Sequence, residues 1–189
     1  MNITLRKANA LQISINDAIK HIKINTSIDL NEFQDVNLEL QKSNDTLFIN
    51  DARRQKLLLA LYNIRGLVGT ANTSSGIDLN LAKAAFIDKR IAQLDDIARL
   101  EAMTDIAVIA GKIEKIKNRK EDARSIYGSR DTVDTTVVTQ AQIDQAKNEI
   151  KNLKKQKQKI NDEVLELNIK TEIPLSDEVV DTLTAEGLI

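Results

Sequence analysis

The feature that most constrains the fold is a seven-residue repeat near the carboxyl end of the chain, across residues 139–168. Apolar residues recur there at alternating steps of four and three, the pattern of a helix that packs lengthwise against another helix. Thr139 can cap the run, and neither Gly nor Pro interrupts it before Pro174. The pattern predicts a helix of about 28 residues, roughly 40 Å long. Its seam positions are Ile143, Ala146, Ile150, Leu153, Lys157, Ile160, Val164 and Leu167.

The composition of the chain also favours helices. Its 189 residues include a single Pro, six Gly, no Trp and only 3% aromatic residues. Few helix breakers and an aliphatic core suit long helices packed side by side better than a sandwich or barrel. The absence of cysteine excludes disulfides and fits a reducing compartment. We therefore expect a cytoplasmic protein without a signal peptide or a membrane span, since no run approaches about 20 apolar residues.

Periodic apolar residues predict three helices before the seam helix and a short one after it. The second of these is so rich in Leu between residues 57 and 68 that we expect it to be buried on several sides. The predicted ranges are 4–21, Ser43 or Asp45 to about Thr70, Leu79 (behind the cap Asp78) to as far as Gly111, and 177–185 behind the cap Ser176.

The segments between these helices carry other patterns. Residues 22–30 alternate apolar with polar side chains and are rich in β-branched residues, which predicts a strand. Residues 132–138 are rich in Val and Thr and predict a second strand. Residues 31–43 fit either a strand or a helix. Small polar residues at 70–78 predict a loop. The highly charged residues 112–130 predict either an exposed helix or a mobile excursion.

Together these patterns predict a mainly α-helical fold, an antiparallel bundle of long helices with a coiled-coil-like seam and a small two-stranded β element. A two-stranded ribbon is marginal alone, so it should pack on the helices or on another subunit. We expect one helical-bundle domain over residues 1–173, followed by a short helix or tail over residues 174–189.

Three stretches give the chain a resemblance to a known family. They are residues 72–76, which precede a helix; residues 132–138, which lead into Ile143 and Asp144; and residues 168–173. With the order of predicted elements, they resemble the septicolysin-like family of small helical bacterial and phage-encoded proteins. The resemblance implies a long helical hairpin bundle that assembles with itself, and it implies no defined biochemical activity.

Residues able to support catalysis or bind a metal are sparse. The single histidine, His21, has only Asp17 within helical reach, and we interpret it as a surface residue. The acidic pairs at 95–96 and 121–122 point about 100° apart on a helix and make no ready cation site. The glycine stretch 66–70 lacks the Lys-Ser/Thr of a phosphate loop, and we interpret it as the end of a helix. We expect no enzymatic activity, metal or cofactor.

Charge is strongly segregated along the seam helix, which has a basic half followed by an acidic tail. Binding of nucleic acid is not expected, because the net charge is −1 and few aromatic residues are present to stack on bases. Charge pairing between antiparallel helices or subunits explains the pattern better, and a polar seam residue such as Lys157 can fix the register. The basic residues are Lys147, Lys151, Lys154, Lys155, Lys157 and Lys159.

Two functional hypotheses follow from the sequence. The first is a non-enzymatic, homo-oligomeric interaction or structural protein, which could have a protein partner and be phage-encoded. The second is a protein that binds or sequesters a nucleotide or another small anionic metabolite at an oligomer interface. The second rests on cationic and hydroxyl side chains near the predicted loop: Arg53, Arg54, Arg65, Thr73, Ser74 and Ser75.

Overall fold

Six helices and two three-residue strands make up the regular structure of residues 1–118 and 132–189, the part of the chain that the computed structural model describes. This confirms the predicted mainly α-helical bundle with a small β element. The elements are β1 (Asn2–Thr4), α1 (Leu5–His21), α2 (Val36–Ser75), α3 (Ile77–Ala98), α4 (Ile106–Lys117), α5 (Gln140–Lys170), β2 (Glu172–Pro174) and α6 (Asp177–Ala185).

The described residues form two compact units. The first comprises residues 1–81 and 162–189, and the second comprises residues 82–161. The boundary expected at residue 173 falls inside the first unit, where Val179 and Leu183 of α6 are buried.

The first unit is organised around an aliphatic core that joins both ends of the chain. Strands β1 and β2 pair antiparallel, with Ile3 opposite Ile173. The amide of Leu5 donates to the carbonyl of Thr171 at 2.9 Å and extends the pairing. Both isoleucines face the helices, so this small ribbon is stabilised by burial and not by its ladder alone. The core side chains from α1, α2 and α6 are Leu5, Ala8, Leu11, Ile15, Leu57, Ala60, Leu61, Ile64, Ala71, Val179 and Leu183.

The location of the predicted strands was wrong. Residues 22–30 and 132–138 are extended segments that find no partner strand among the described residues. Half-buried Ile22 packs against the core, so alternation reflects one side of an extended chain lying on helices. Residues 132–138 contact the 99–105 segment instead, where the Met103 amide donates to the Val138 carbonyl at 2.8 Å.

Both ends of α2 also differ from the prediction. The helix begins at Val36, because the Asp35 carboxylate accepts a hydrogen bond from the Leu38 amide at 3.0 Å and caps it. It runs through both glycines at 66 and 69 and through most of the predicted loop. It ends at Gly76, whose φ of 84° is the left-handed conformation that glycine adopts at least cost. Helix α3 begins at Ile77, so the chain turns at Gly76 and the predicted loop is almost entirely helical.

In the second unit α3 ends at Ala98, short of the furthest predicted limit, and α4 begins at Ile106, after seven intervening residues. Of the charged segment predicted at 112–130, residues 112–117 belong to the mostly exposed α4, and residues 119–131 lie outside the described residues. Helix α5 matches its predicted range within two residues. A capping box begins it: the Gln142 amide donates to the Thr139 hydroxyl at 3.3 Å, and the Thr139 amide donates to the Gln142 side-chain oxygen at 2.9 Å.

Candidate interaction surface

The seam of α5 is the side of the helix that the chain covers. Ile143 and Ala146 are buried, with only 2% and 4% of their surface exposed to solvent. The other six seam residues are all half-buried. Val164 and Leu167 pack against the core of the first unit. The heptad positions therefore lie on the more buried side of α5.

Within the second unit, charged side chains link α5 to α3. The Lys157 ammonium lies 2.6 and 2.7 Å from the two carboxylate oxygens of Asp88. The Arg90 guanidinium lies 3.0 Å from the Glu149 carboxylate. As residue numbers rise along α3 they fall along α5, so the helices are antiparallel. The polar seam residue thus has its partner inside the chain, as expected of a residue that fixes register.

The arginines proposed to bind an anion do not converge. Arg53 forms a two-bond ion pair with Glu186, the residue that follows α6, at 2.9 and 2.8 Å. Arg65 lies over the Tyr62 ring, 4.9 Å from its centroid. Arg54 is half-buried on α2. Since residues 53 and 65 are about three turns apart, these cations occupy separate places along α2.

The hydroxyl groups of the same set are used within the helix. Ser74 and Ser75 donate to the carbonyls of Ala71 and Asn72, at 3.2 and 3.3 Å. The Thr73 hydroxyl lies 2.7 Å from the Asp78 carboxylate, across the corner between α2 and α3. From residue 53 to residue 75 the six predicted residues extend over roughly 33 Å of helix. The structure brings no two of them together as a site.

A groove of about 790 Å³ lies between α2 and α6 in the first unit. Arg53 and Lys56 line its α2 side, and Glu178, Asp181 and Glu186 line its α6 side. The hydrogen bond from Arg53 holds the pKa of the Glu186 carboxyl below its usual value, and the same contact raises the pKa of Arg53. The mixed charge of these walls suits the attachment of α6 better than an anion site.

The other candidate polar groups are engaged locally. A ring nitrogen of His21, Nδ1, lies 2.7 Å from the Asp17 carbonyl, to which it donates when it carries the proton. Asp95 pairs with Arg99 one turn later on the chain. Within the described ranges, no group of three acidic or histidine side chains is placed to hold a metal ion.

The surface that sequence reasoning missed is the outer face of α2. Phe48, Leu59 and Tyr62 are between 63% and 64% exposed, on the side opposite the buried Leu57 and Leu61. They belong to an outer stripe with the same four-and-three spacing as a seam, in which every residue is exposed. The outer stripe consists of Phe48, Ala52, Gln55, Leu59, Tyr62, Gly66, Gly69 and Thr73. Its spacing was readable in the sequence, but the density of Leu at 57–61 concealed which positions face inward.

The fold and these surfaces define a mainly α-helical protein with apolar side chains on both faces of its longest helix. In comparisons with known proteins, no family model, curated protein or solved structure matches this chain. The likeness to the septicolysin-like family therefore stays a prediction. Among residues 1–118 and 132–189, no helix is both long enough and apolar enough to cross a membrane.

Proposed function

We propose that this protein is a non-enzymatic helical protein that assembles with copies of itself and serves as an interaction or structural component. The observation that supports this most directly is the two-sided character of α2. Its inner side supplies Leu57, Leu61 and Ile64 to the core, while Leu59 and Tyr62 on the outer side remain 63% exposed.

The physical argument concerns the cost of leaving such a face in water. Exposed apolar residues scattered singly are ordinary, but a continuous row along one helix face is typical of an interaction surface. Burial of apolar surface contributes roughly 25 cal/mol per Å², so covering several large side chains favours association. The sequence pattern predicted burial of this block on several sides, and the described residues of one chain cover its inner side but leave Leu59 and Tyr62 exposed.

A cytoplasmic location belongs to the same proposal and rests on the cysteine-free composition. Membership of the septicolysin-like family is also part of this proposal. The resemblance implies that the protein assembles with itself and that it is of bacterial or phage origin.

Native mass spectrometry of the purified protein tests the proposal. We expect a discrete oligomer whose mass is a whole multiple of the 21.1 kDa chain. Leu59→Asp should shift it to monomer without loss of helical circular dichroism, because an unpaired charge is unfavourable in an apolar interface. Leu165→Asp is the matched control, since Leu165 of α5 has the same 63% exposure on another helix. A wild-type monomer at every concentration up to about 100 µM would contradict the proposal.

The same spectrum tests the alternative, a small anionic ligand. A retained ligand would add mass to the native protein that disappears on denaturation. The groove between α2 and α6 has a volume within the range of ligand pockets, roughly 300–1,000 Å³, but of the six predicted ligand residues only Arg53 lines it. We therefore place the ligand hypothesis second.

A further inference from the structure

We infer that a second copy of this chain packs antiparallel on the outer stripe of α2, with Phe48 of each copy seated on Gly66 and Gly69 of the other. This deepens the proposed function and rests on it, because it names the surface and the geometry of self-association. The outer stripe lies entirely in the first unit, and α2 presents it over about 26 residues, or roughly 39 Å.

Gly66 and Gly69 of the outer stripe indicate that another helix approaches this face closely. Glycine inside a helix is less favourable than alanine by roughly 0.5–1 kcal/mol, so two of them on one face need a structural reason. A Cβ built at Gly66 or Gly69 meets nothing within 4 Å, and neither glycine has a positive φ. Packing among the described residues therefore does not require them. Close approach of a partner to this face does.

The order of large and small residues along the outer stripe is complementary to itself in an antiparallel pair. In an antiparallel pair, one register sets Phe48 against Gly66 of the second copy, Ala52 against Tyr62 and Gln55 against Leu59. Each bulky side chain then meets a smaller or unbranched one, and each contact occurs twice because a two-fold pair is self-complementary. The two-fold axis in this register passes beside Leu58.

Charge complementarity supports the same register and identifies the occupant as a second copy. Asp51 and Arg65 lie on the same flank of the outer stripe, two heptads apart, and neither forms an ion pair within the described ranges. The register that places Phe48 on Gly66 also places Asp51 of one copy beside Arg65 of the other, twice per dimer. The Arg65 guanidinium already lies along the stripe, over Tyr62.

Parallel pairing fits these residues less well. It would place Tyr62 against Tyr62 and glycine against glycine. The first contact crowds two rings, and the second leaves space unfilled. The large and small residues of the stripe are complementary only when the second helix runs in the opposite direction.

Cysteine cross-linking tests this geometry cleanly, because the chain contains no cysteine. Leu58→Cys lies beside the proposed axis, so mild oxidation should yield a disulfide-linked dimer as the main product. Asn72→Cys lies on the same flank, but antiparallel pairing separates its two copies by roughly 40 Å, and we expect less than a tenth of that yield. Equal yields at the two positions, or none at Leu58→Cys in a protein that is oligomeric, would overturn the inference and leave the proposed function standing. A wild-type monomer would overturn both.

A charge exchange tests the register independently of oxidation. Asp51→Arg and Arg65→Asp should each weaken the dimer about tenfold or more, since each variant places two like-charged pairs in the interface. The double variant restores both pairs and should return to within about threefold of the wild-type dissociation constant. Both positions are exposed in the monomer, and circular dichroism checks that each variant folds. A double variant as weak as the sum of the single changes would overturn the register.

Discussion

The polar side chains near the carboxyl end of α2 were predicted to form a loop, but they lie inside the helix. Thr73, Ser74 and Ser75 resemble loop residues, yet the hydroxyls of Ser74 and Ser75 donate to carbonyls three residues earlier. Hydroxyl groups that donate to a carbonyl of their own helix are tolerated inside helices, so residues of this type do not by themselves end one. The helix stops only where Gly76 adopts a positive φ. Residue type alone predicted that α2 ends at about Thr70, five residues before its last residue, Ser75. The hydrogen bonds of these hydroxyl groups are visible only in the folded chain.

The ion pair between Arg53 and Glu186 gives a residue-scale prediction. Glu186→Gln should lower the melting temperature by about 1–3 °C at pH 7, because an ion pair with two aligned hydrogen bonds still contributes modestly at a surface. Since the pKa of Glu186 is lowered in the folded protein, this contribution is present above the unfolded-state value near 4.5 and is lost as the pH falls through the lower folded value.

Melting curves of wild type and Glu186→Gln between pH 3 and pH 8 check this. The difference should be constant above about pH 5 and should shrink below pH 4. Glu172→Gln is the control, because Glu172 is exposed and forms no ion pair among the described residues. A difference between Glu186→Gln and wild type that is unchanged at pH 3 would mean that the carboxylate charge does not hold α6.

The elements differed in how far sequence could predict them, and the difference follows from the range of their interactions. Helices α5 and α6 were found nearly to the residue, since amphipathic spacing and caps are local signals. The strands were placed at 22–30 and 132–138, whereas β1 and β2 lie at opposite ends of the chain. Three residues carry too little local pattern to be recognised, and their pairing is decided by the core that Ile3 and Ile173 enter. For the candidate surface, the heptad pattern selected α5 positions that are buried or half-buried in the structure. It did not reveal the outer stripe of α2, the surface that we propose for self-association.

The buried end of the seam gives an element-scale prediction. Ile143→Ala should destabilise the protein by about 2–4 kcal/mol, because it removes buried methyl groups and leaves a cavity. Leu165→Ala, on the exposed side of the same helix, should change the stability by less than about 0.5 kcal/mol. Urea denaturation followed by circular dichroism measures both. Equal effects for the two variants would show that the seam does not carry the packing of α5.

At the scale of the whole molecule, the chain has an aliphatic core in its first unit and apolar surface left over on its longest helix. The α5 seam is buried or half-buried at all eight positions, whereas every residue of the outer stripe of α2 is exposed, so the heptad pattern that dominates the sequence offers the smaller free surface. The outer stripe of α2 is the surface for a partner in our proposal. A self-associating protein of this kind gains stability from each added copy by mass action.

This linkage gives a prediction for the whole protein. If a dimer forms on folding, a tenfold rise in concentration adds about 0.7 kcal/mol per chain, so the melting temperature should rise by about 2–3 °C per decade. Calorimetry from about 2 to 200 µM measures the slope. Leu59→Asp should melt at a temperature independent of concentration, because its outer stripe can no longer be buried, whereas Leu165→Asp should keep the wild-type slope. A wild-type melting temperature that does not change with concentration would mean that the outer stripe of α2 stays in contact with water. The burial on several sides predicted for residues 57–68 would then require a different partner.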